Sequence, residues 1–127
     1  PNINAALGCS QMEHLHSKLE SKRTLHNVFR KNFQDIKELE IIKEAHNCQS
    51  NYWLITLRLM GNSNIEKIRN NILNNAHEAK IFLRPSWILL NTLPMYKKAY
   101  SGDLSEAINQ SKRLINLPSS PQLVNHL

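Results

Sequence analysis

The 127-residue sequence is poor in glycine and cysteine, and it contains no long apolar run. Three glycines, Gly8, Gly61 and Gly102, cannot form a P-loop or a dinucleotide-binding turn, because each of these motifs needs several closely spaced glycines. Cys9 and Cys48 lie in unlike contexts and are too few for a disulfide framework, which favours reduced thiols in a cytosolic protein. The apolar stretches are too short to span a bilayer. We therefore expect a soluble cytoplasmic protein without a membrane partner.

Residue patterns for metal binding and for nucleophilic catalysis are also missing. The six histidines are scattered, and none has a cysteine or carboxylate at ligand spacing. His14 and His16 are two positions apart, so on a helix their side chains point about 200° away from each other. The sequence has no G-x-S-x-G motif, and neither cysteine has a setting that would activate it. These missing patterns predict that the chain has no metal-binding residues and carries out no nucleophilic catalysis.

The net charge of +6 could favour an acidic partner such as a nucleic acid. However, the basic residues are spread along the chain and often stand beside acids, as in residues 37–40 (KELE) and 43–44 (KE). A mixed, solvated surface fits this distribution better, so we predict no nucleic-acid partner. Two alternative functions remain open, a basic nucleic-acid-binding module and a helical dimerisation domain.

Hydrophobic periodicity divides the chain into helices and strands. Apolar residues at steps of three and four predict one long amphipathic helix over residues 4–33. Residues 52–60 alternate and predict a strand, with a partner strand near residues 39–44 and with Trp53 on the buried face. A capping box at residues 63–66 predicts the start of a helix that runs to Lys80, followed by a short strand at residues 81–83.

The C-terminal third repeats the helix-start signal at residues 103–106, and its spacing predicts a last helix that continues to Leu117. The predicted fold class is α+β. It consists of a long N-terminal helix followed by a small, mainly antiparallel three-stranded sheet packed with two further helices. The predicted organisation is a connecting helix over residues 1–34, an α+β domain over residues 35–118 and a tail over residues 119–127 that is either loose or laid across a neighbour.

Several segments are unusual together and are not explained by a generic core. They are, in chain order, residues 1–12 (PNINAALGCSQM) with a later Lys22-Arg23 pair, 50–54 (SNYWL), 84–87 (RPSW), 93–96 (LPMY) and 115–120 (INLPSS). As an ordered set that spans nearly the whole chain, they resemble the DegT/DnrJ/EryC1 family of sugar aminotransferases. The sequence departs from the family pattern at Lys80, where the family usually has glycine, so the turn that leads towards Arg84 is expected to differ.

The resemblance implies the small C-terminal domain of a fold-type I aminotransferase that depends on pyridoxal phosphate. In such an enzyme an amino group passes from an amino acid donor to a keto-sugar, here a nucleotide-linked sugar for surface polysaccharide, and the enzyme is a homodimer. The resemblance places the Schiff-base lysine, the acidic partner of the pyridine nitrogen and the phosphate cup in an N-terminal cofactor domain. The sequence starts at Pro1 without an initiator methionine, so we expect a fragment. No lysine in it sits in the family's Schiff-base motif, so the resemblance implies that the fragment is inactive alone, has no catalytic or cofactor-binding residue and binds no cofactor.

The resemblance also implies roles for three residues. Arg84 and Trp87 are expected to bind the substrate, and Asn4 is expected to lie at the subunit interface. Each has a simpler alternative: Arg84 could pair with an acid on the surface, Trp87 could belong to the core, and Asn4 could cap a helix. The role of Tyr96 stays open.

Overall fold

The computed structural model describes residues 1–61 and 63–126. Its four α-helices are α1 (Asn2–Glu13), α2 (Leu15–Phe33), α3 (Ile65–Glu78) and α4 (Ser105–Ser111). Its four strands are β1 (Leu39–Ile41), β2 (Ile55–Leu59), β3 (Arg84–Pro85) and β4 (Leu114–Leu117). Short 3-10 helices cover Leu90–Thr92, Pro94–Tyr96 and Pro121–His126. In this part of the chain, no helix is both long and apolar enough to cross a membrane.

The predicted long N-terminal helix is two helices that meet at His14. The backbone of His14 has φ −101° and ψ 2°, and its N–H donates to the carbonyl of Gln11, three residues back. No residue of α1 is buried, whereas α2 buries Leu25 and His26. Because packing of an apolar face supplies most helix stability in proteins, α2 is the part that anchors this region to the core.

The sheet has four strands in the order β1-β2-β4-β3, and every neighbouring pair is antiparallel. The predicted antiparallel α+β fold is therefore confirmed, although the sheet has one strand more than the three predicted. β2 is central and alternates as predicted, with Ile55, Leu57 and Leu59 buried. It begins three residues later than the alternation suggested, and Trp53 is 63% exposed, so the prediction that this tryptophan lies in the core is wrong.

The last helix ends at Ser111, and residues 114–117 form β4 instead of continuing the helix to Leu117. Ile115 and Leu117 are both buried, and they pair with Leu57 and Ile55 of β2. The apolar residues in this stretch fit both a helical and an alternating period. Local periodicity cannot distinguish a helix from a strand in such a short apolar segment. Residues 114–117 form a strand because they pair with β2, which lies about sixty residues earlier in the chain.

The connection from α3 to β3 explains the unusual Lys80. Lys80 has φ 62°, its N–H donates to His77, and the N–H of Ile81 donates to Ala76. These two bonds form a Schellman motif, in which the residue after the helix takes the left-handed conformation that glycine adopts most readily. Lys80 therefore takes the left-handed conformation that a glycine would favour at this position, so the expected departure from a glycine-type turn does not occur. The short strand that follows is Arg84–Pro85, not residues 81–83 as predicted.

The predicted capping box at the start of α3 does not form, because no side chain caps this helix and Asn64 instead has φ 54°. At the C-terminus, Pro121–His126 of the predicted tail form a 3-10 helix against α2 and are not loose, while residue 127 lies outside the described residues. Leu123 and Val124 of this segment pack on the core. The core therefore lies between the sheet, α2 and the C-terminal segment.

Candidate substrate-binding cleft

Two adjoining grooves lie at the edge of the sheet where β3 pairs with β4. The first groove has a volume of about 410 Å³ and is lined by Lys22, Arg84 and the segment 116–121, among others. The second groove has a volume of about 360 Å³ and is lined by Trp87, Ile88 and Arg84, among others. Four residues, Trp53, Leu54, Arg84 and Asn116, line both grooves. We call the two grooves together the cleft.

One wall of the cleft is held by Lys22 of α2. Its side-chain nitrogen donates to the carbonyl of Ser119 at 2.7 Å and to the carbonyl of Tyr52 at 3.3 Å. Partial burial lowers the pKa of Lys22 from its usual 10.5. Because an ammonium has three donors, two bonds to backbone carbonyls leave one N–H for a ligand in the first groove.

The neighbouring Arg23 fixes the loop before β2. Its guanidinium donates to the carbonyl of Ser50 at 2.7 Å and lies 3.5 Å from the carboxylate of Glu44. The Ser119 hydroxyl donates to the carbonyl of Trp53 at 2.6 Å, which ties the C-terminal segment to the same loop. The Lys22-Arg23 pair therefore sets the backbone position from which the Trp53 side chain projects.

The edge that carries Arg84 is fixed by side chains of adjacent strands. Arg84 is paired with Asn116 in the register of β3 and β4. Asn116 donates to the carbonyl of Pro85 at 3.4 Å and accepts a bond from the Thr56 hydroxyl at 3.0 Å. Because Thr56 belongs to the central strand, Asn116 links the short β3 to the middle of the sheet.

Arg84 itself is exposed, and its guanidinium has no hydrogen-bond or ion-pair partner among residues 1–61 and 63–126. The alternative that it pairs with a surface acid therefore does not apply to the described residues. Among the described residues, the charged side chains that line the cleft are those of Lys22 and Arg84, and no described carboxylate lines either groove. A cleft with two cations, one of them a planar fork of donors, is suited to a phosphate or carboxylate.

Trp87 is 72% exposed, so it is not a core residue. Its ring contacts the ring of Trp53, with centroids 5.9 Å apart and planes inclined at 53°. The structure thus brings Arg84 and Trp87 into the second groove, as the prediction that both bind substrate requires. It also adds Trp53, which the periodicity of residues 52–60 had assigned to the core.

Asn4 lies elsewhere, in the exposed helix α1, and lines neither groove. It is not the N-cap of this helix, since its N–H already donates to the carbonyl of Pro1 within the first turn. The proposed role of Asn4 at a subunit interface stays a prediction. A candidate metal site, defined as three or more clustered histidine, cysteine or carboxylate side chains, is not found in the described part of the chain.

The cleft does not by itself fit pyridoxal phosphate. That cofactor needs a lysine for covalent attachment, an acid for its ring nitrogen and a set of phosphate donors. Lys22 already donates to two backbone carbonyls, and the lining residues that the structure describes include no acid. The donors present would serve an anionic group, but the remaining requirements are unmet by these residues.

Comparison with known proteins identifies the family of this chain. The model of the DegT/DnrJ/EryC1/StrS aminotransferase family matches residues 1–126, and the chain belongs to this family. The sequence is 29% identical over 125 residues to a GDP-perosamine synthase of Escherichia coli O157:H7, which covers 98% of this chain and 32% of that protein. It is 29% identical over 126 residues to EpsN of Bacillus subtilis, a putative pyridoxal phosphate-dependent aminotransferase, which covers 96% of this chain and 31% of that protein.

Solved structures of sugar aminotransferases share the fold. The pyridoxal phosphate form of Spr1654 from Streptococcus pneumoniae superposes with a TM-score of 0.80 at 22% identity over 99% of this chain and 33% of that one. The aminotransferase TlmJ from Streptoalloteichus hindustanus gives a TM-score of 0.82 at 15% identity over 96% of this chain and 33% of that one. The chain spans about one third of the length of these relatives.

Two parts of the cleft were not predicted from the sequence, namely Trp53 and the wall held by Lys22. The alternation from residue 52 onwards assigned Trp53 to the buried face, and only the positive φ of Tyr52 (44°) shows that the strand had not yet begun. The side chain of Asn51 accepts a hydrogen bond from the Trp53 N–H at 3.0 Å and forms an Asx-type turn. Because asparagine favours turns, Asn51 was the sequence signal that β2 begins after this point.

Proposed function

We propose that this chain is the C-terminal part of a cytoplasmic, homodimeric, pyridoxal phosphate-dependent aminotransferase. The enzyme transfers an amino group from an amino acid donor to a nucleotide-linked keto-sugar used for surface polysaccharide. Membership of the aminotransferase family supports the reaction class. The observation that carries the substrate assignment is the unpaired Arg84 in a cleft whose charged lining residues are both cations. The relatives named GDP-perosamine synthase support a nucleotide-linked sugar as the substrate. The polysaccharide role rests on the resemblance of the sequence segments to the family.

In this proposal Arg84 binds an anionic group of the substrate, and Trp87 forms an apolar wall beside it. The free fork of Arg84 can donate two parallel bonds to one phosphate, which fixes orientation as well as position. The fixed edge formed by Asn116 and Thr56 limits the movement of Arg84's backbone. These residues bind and orient the substrate, and none of them takes part in proton transfer.

Pyridoxal phosphate, when bound, withdraws the electrons that are released when a C–H bond next to nitrogen is broken. The described lining of the cleft includes no acid for its ring nitrogen and no free lysine for its attachment, so we assign the cofactor to an N-terminal domain. The chain then acts as a wall of the substrate site and does not catalyse transamination alone.

The exposed helix α1 supports the part of the proposal that concerns subunit contacts. Ile3, Leu7 and Met12 are all more than 60% exposed on this helix, and Asn4 lies among them. Large apolar side chains exposed together on one short element are typical of surfaces that are covered by another chain or domain. We assign α1 to the contact with the cofactor domain or the partner subunit.

The proposal is tested with the longer protein that includes the sequence upstream of Pro1. We expect it to bind pyridoxal phosphate, and borohydride treatment should join the cofactor to one lysine outside residues 1–127, as located by mass spectrometry. Incubation with glutamate and candidate nucleotide-linked keto-sugars should give an amino sugar. A longer protein that neither binds the cofactor nor contains a lysine that reacts with it would refute the proposal.

A further inference from the structure

We infer that the neutral ring of His26 holds the loop before β2 (residues 50–53) in place and that protonation of His26 releases this loop. The inference goes beyond the proposed function, because it requires neither substrate nor cofactor. Three observations carry it: a buried imidazole with one unpartnered nitrogen, the stack of this imidazole on Tyr52, and the left-handed backbone of that tyrosine.

The surroundings of His26 fix which ring nitrogen carries the proton. His26 is 2% exposed, and its Nε2 lies 3.1 Å from the carbonyl oxygen of Ile42. A carbonyl oxygen can only accept, so in the neutral ring Nε2 carries the proton and donates the hydrogen bond. Nδ1 then carries a lone pair, and it is buried without a hydrogen-bond partner among residues 1–61 and 63–126.

A second proton would enter at Nδ1 and place a positive charge in this site. The new N–H would have no acceptor among the described residues, and an unpaired charge hidden from water is strongly disfavoured. Lys22 and Arg23 stand about one helical turn before His26, and both oppose a further positive charge. Stacking of a charged imidazolium on Tyr52 offsets little of this cost, because the Arg23 guanidinium already lies 5.8 Å from the centroid of the tyrosine ring.

The acids nearest to His26 in the described part of the chain are already paired. The carboxylate of Glu44, in the segment after β1, lies 3.5 Å from the guanidinium of Arg23. Glu40 of β1 accepts a 2.9 Å bond from Arg58. The other titratable groups one turn away on α2, after β1 and on the C-terminal 3-10 helix are Arg30, Lys43 and His126. Proton uptake by His26 is therefore opposed in the folded chain and unopposed in the unfolded chain.

The loop before β2 depends on His26 through Tyr52. Tyr52 has φ 44°, a left-handed conformation that is costly for a bulky residue and persists where the surroundings impose it. Its ring stacks on His26 with centroids 4.0 Å apart and planes inclined at 20°, and its carbonyl accepts a bond from Lys22. The next residue is Trp53, which lines both grooves of the cleft. Loss of the stack therefore allows Tyr52 to relax and moves Trp53.

The pH range of the effect follows from the unfolded chain, in which a histidine takes up a proton near about pH 6.5. Well above this pH His26 is neutral in both states, and the stabilisation by its stacked ring is fully present. Below about pH 6.5 the unfolded chain gains a proton that the folded chain does not, so stability falls as the pH falls. One such site changes the unfolding equilibrium constant by at most about tenfold per pH unit.

Urea unfolding of the chain at about pH 7.5 and about pH 5.5 tests this linkage. We expect the unfolding equilibrium constant of the parent to rise about fivefold to tenfold between the two conditions, and His26→Gln to remove most of this rise. The glutamine amide nitrogen can still donate to the carbonyl of Ile42, but it does not titrate. His46→Gln, at an exposed histidine, is the matched control and should keep the pH dependence of the parent.

The release of the loop is measured through Trp53. Trp53 and Trp87 are the two tryptophans of the chain, so Trp87→Phe leaves Trp53 as the single emitter. We expect the emission maximum of this variant to shift between about pH 7.5 and about pH 5.5 while circular dichroism shows that its helices persist, because a loop opens before the core unfolds. Adding His26→Gln to the same variant should abolish the shift.

Three outcomes would overturn the inference. In the first, the unfolding constant of the parent is the same at both pH values. In the second, His26→Gln keeps the full pH dependence of the parent. In the third, the Trp53 emission does not change with pH, so that the effect of His26 does not reach the loop.

His26→Phe replaces His26→Gln if circular dichroism at about pH 7.5 shows that the glutamine variant does not fold. Phenylalanine keeps a flat ring beside Tyr52 without a titratable nitrogen. The measurements on the parent chain and on Trp87→Phe test the inference without either variant. None of these results decides the proposed aminotransferase reaction, which is tested separately by cofactor binding in the longer protein.

Discussion

The side-chain nitrogen of Lys22 donates a 2.7 Å hydrogen bond to the carbonyl of Ser119, which joins α2 to the segment that follows β4. The two residues are 97 positions apart in the sequence, so this bond closes the fold between its two ends. The same ammonium also bonds the carbonyl of Tyr52, just before β2. Lys22 is therefore a structural clamp as well as a lining residue of the first groove.

We expect Lys22→Met to destabilise the fold by about 1–2 kcal/mol, because two charge-assisted bonds are lost from a partly solvated site and two carbonyls lose their partner. Urea unfolding followed by circular dichroism measures the change. Lys18→Met, on the same helix but with its ammonium bonded only to the exposed side chain of Gln11, is the matched control and should change stability by less than about 0.5 kcal/mol. Equal effects of the two substitutions would contradict the clamp.

We expect His26→Ala to cost about 2–4 kcal/mol, because it removes a buried ring, a stacking contact and a hydrogen bond together. His26 is 2% exposed, its ring stacks on Tyr52 with centroids 4.0 Å apart, and its Nε2 lies 3.1 Å from the carbonyl of Ile42. Thermal unfolding provides the measurement. His16→Ala, at a side chain that is 88% exposed, should be nearly neutral, and a comparable loss there would show that burial does not explain the effect.

A third prediction distinguishes β4 from the helix that the local spacing favoured. Ile115 is fully buried opposite Leu57, whereas Ile108 of α4 is 39% exposed. Ile115→Ala should therefore cost about 2–5 kcal/mol and Ile108→Ala less than about 1 kcal/mol, as measured by denaturant unfolding. If residues 104–117 formed one helix, the two isoleucines would lie on one stripe and their substitutions would have similar costs.

A fourth prediction concerns pH. The backbone N–H and then the hydroxyl of Ser105 donate to the Asp103 carboxylate, and these bonds lower the pKa of Asp103 below its usual 3.8. The unfolded chain takes up this proton near 3.8, while the folded chain keeps the carboxylate ionised to lower pH. The stabilisation of the fold by these bonds to the ionised Asp103 is therefore complete above pH 3.8, and it is lost as the pH falls through the lowered pKa of Asp103.

Melting temperatures of the parent chain and of Asp103→Ala test this dependence. We expect the parent to melt at a higher temperature at about pH 6, and we expect the difference to shrink as the pH is lowered below about 3.8. Asp35→Ala, at another exposed aspartate, controls for the general effect of removing a negative charge. A difference that stays constant with pH would show that the bonds to Ser105 do not favour the ionised form.

Much of the fold could be predicted because its signals are local. The alternation of Ile55, Leu57 and Leu59 revealed one strand, and the three-to-four spacing of Leu25 and Phe29 revealed the buried face of α2. The ordered segments from residues 1–12 to residues 115–120 indicated the family, and the family match over residues 1–126 confirms it. Arg84 and Trp87 could be selected as candidate site residues from these segments alone.

The tertiary structure decided what local signals leave open. Residues 114–117 fit a helix and a strand equally, and they are a strand because β2 and β3 offer backbone partners on both sides. The position of Trp53 depended on where β2 begins, and the bonds of Asn51 and Ser119 set that position. The sequence could not predict that the Arg84 guanidinium has no partner among the described residues, since this depends on which acids the fold brings near it.

The sequence by itself therefore determined the class of the protein and the elements that build it, because periodicity and ordered segments are properties of neighbouring residues. Only the tertiary structure joined α2, the loop before β2, β3 and the segment after β4 into one cleft. The physical reason is that these contacts close loops of up to 97 residues, as between Lys22 and Ser119, and no local pattern encodes such pairing.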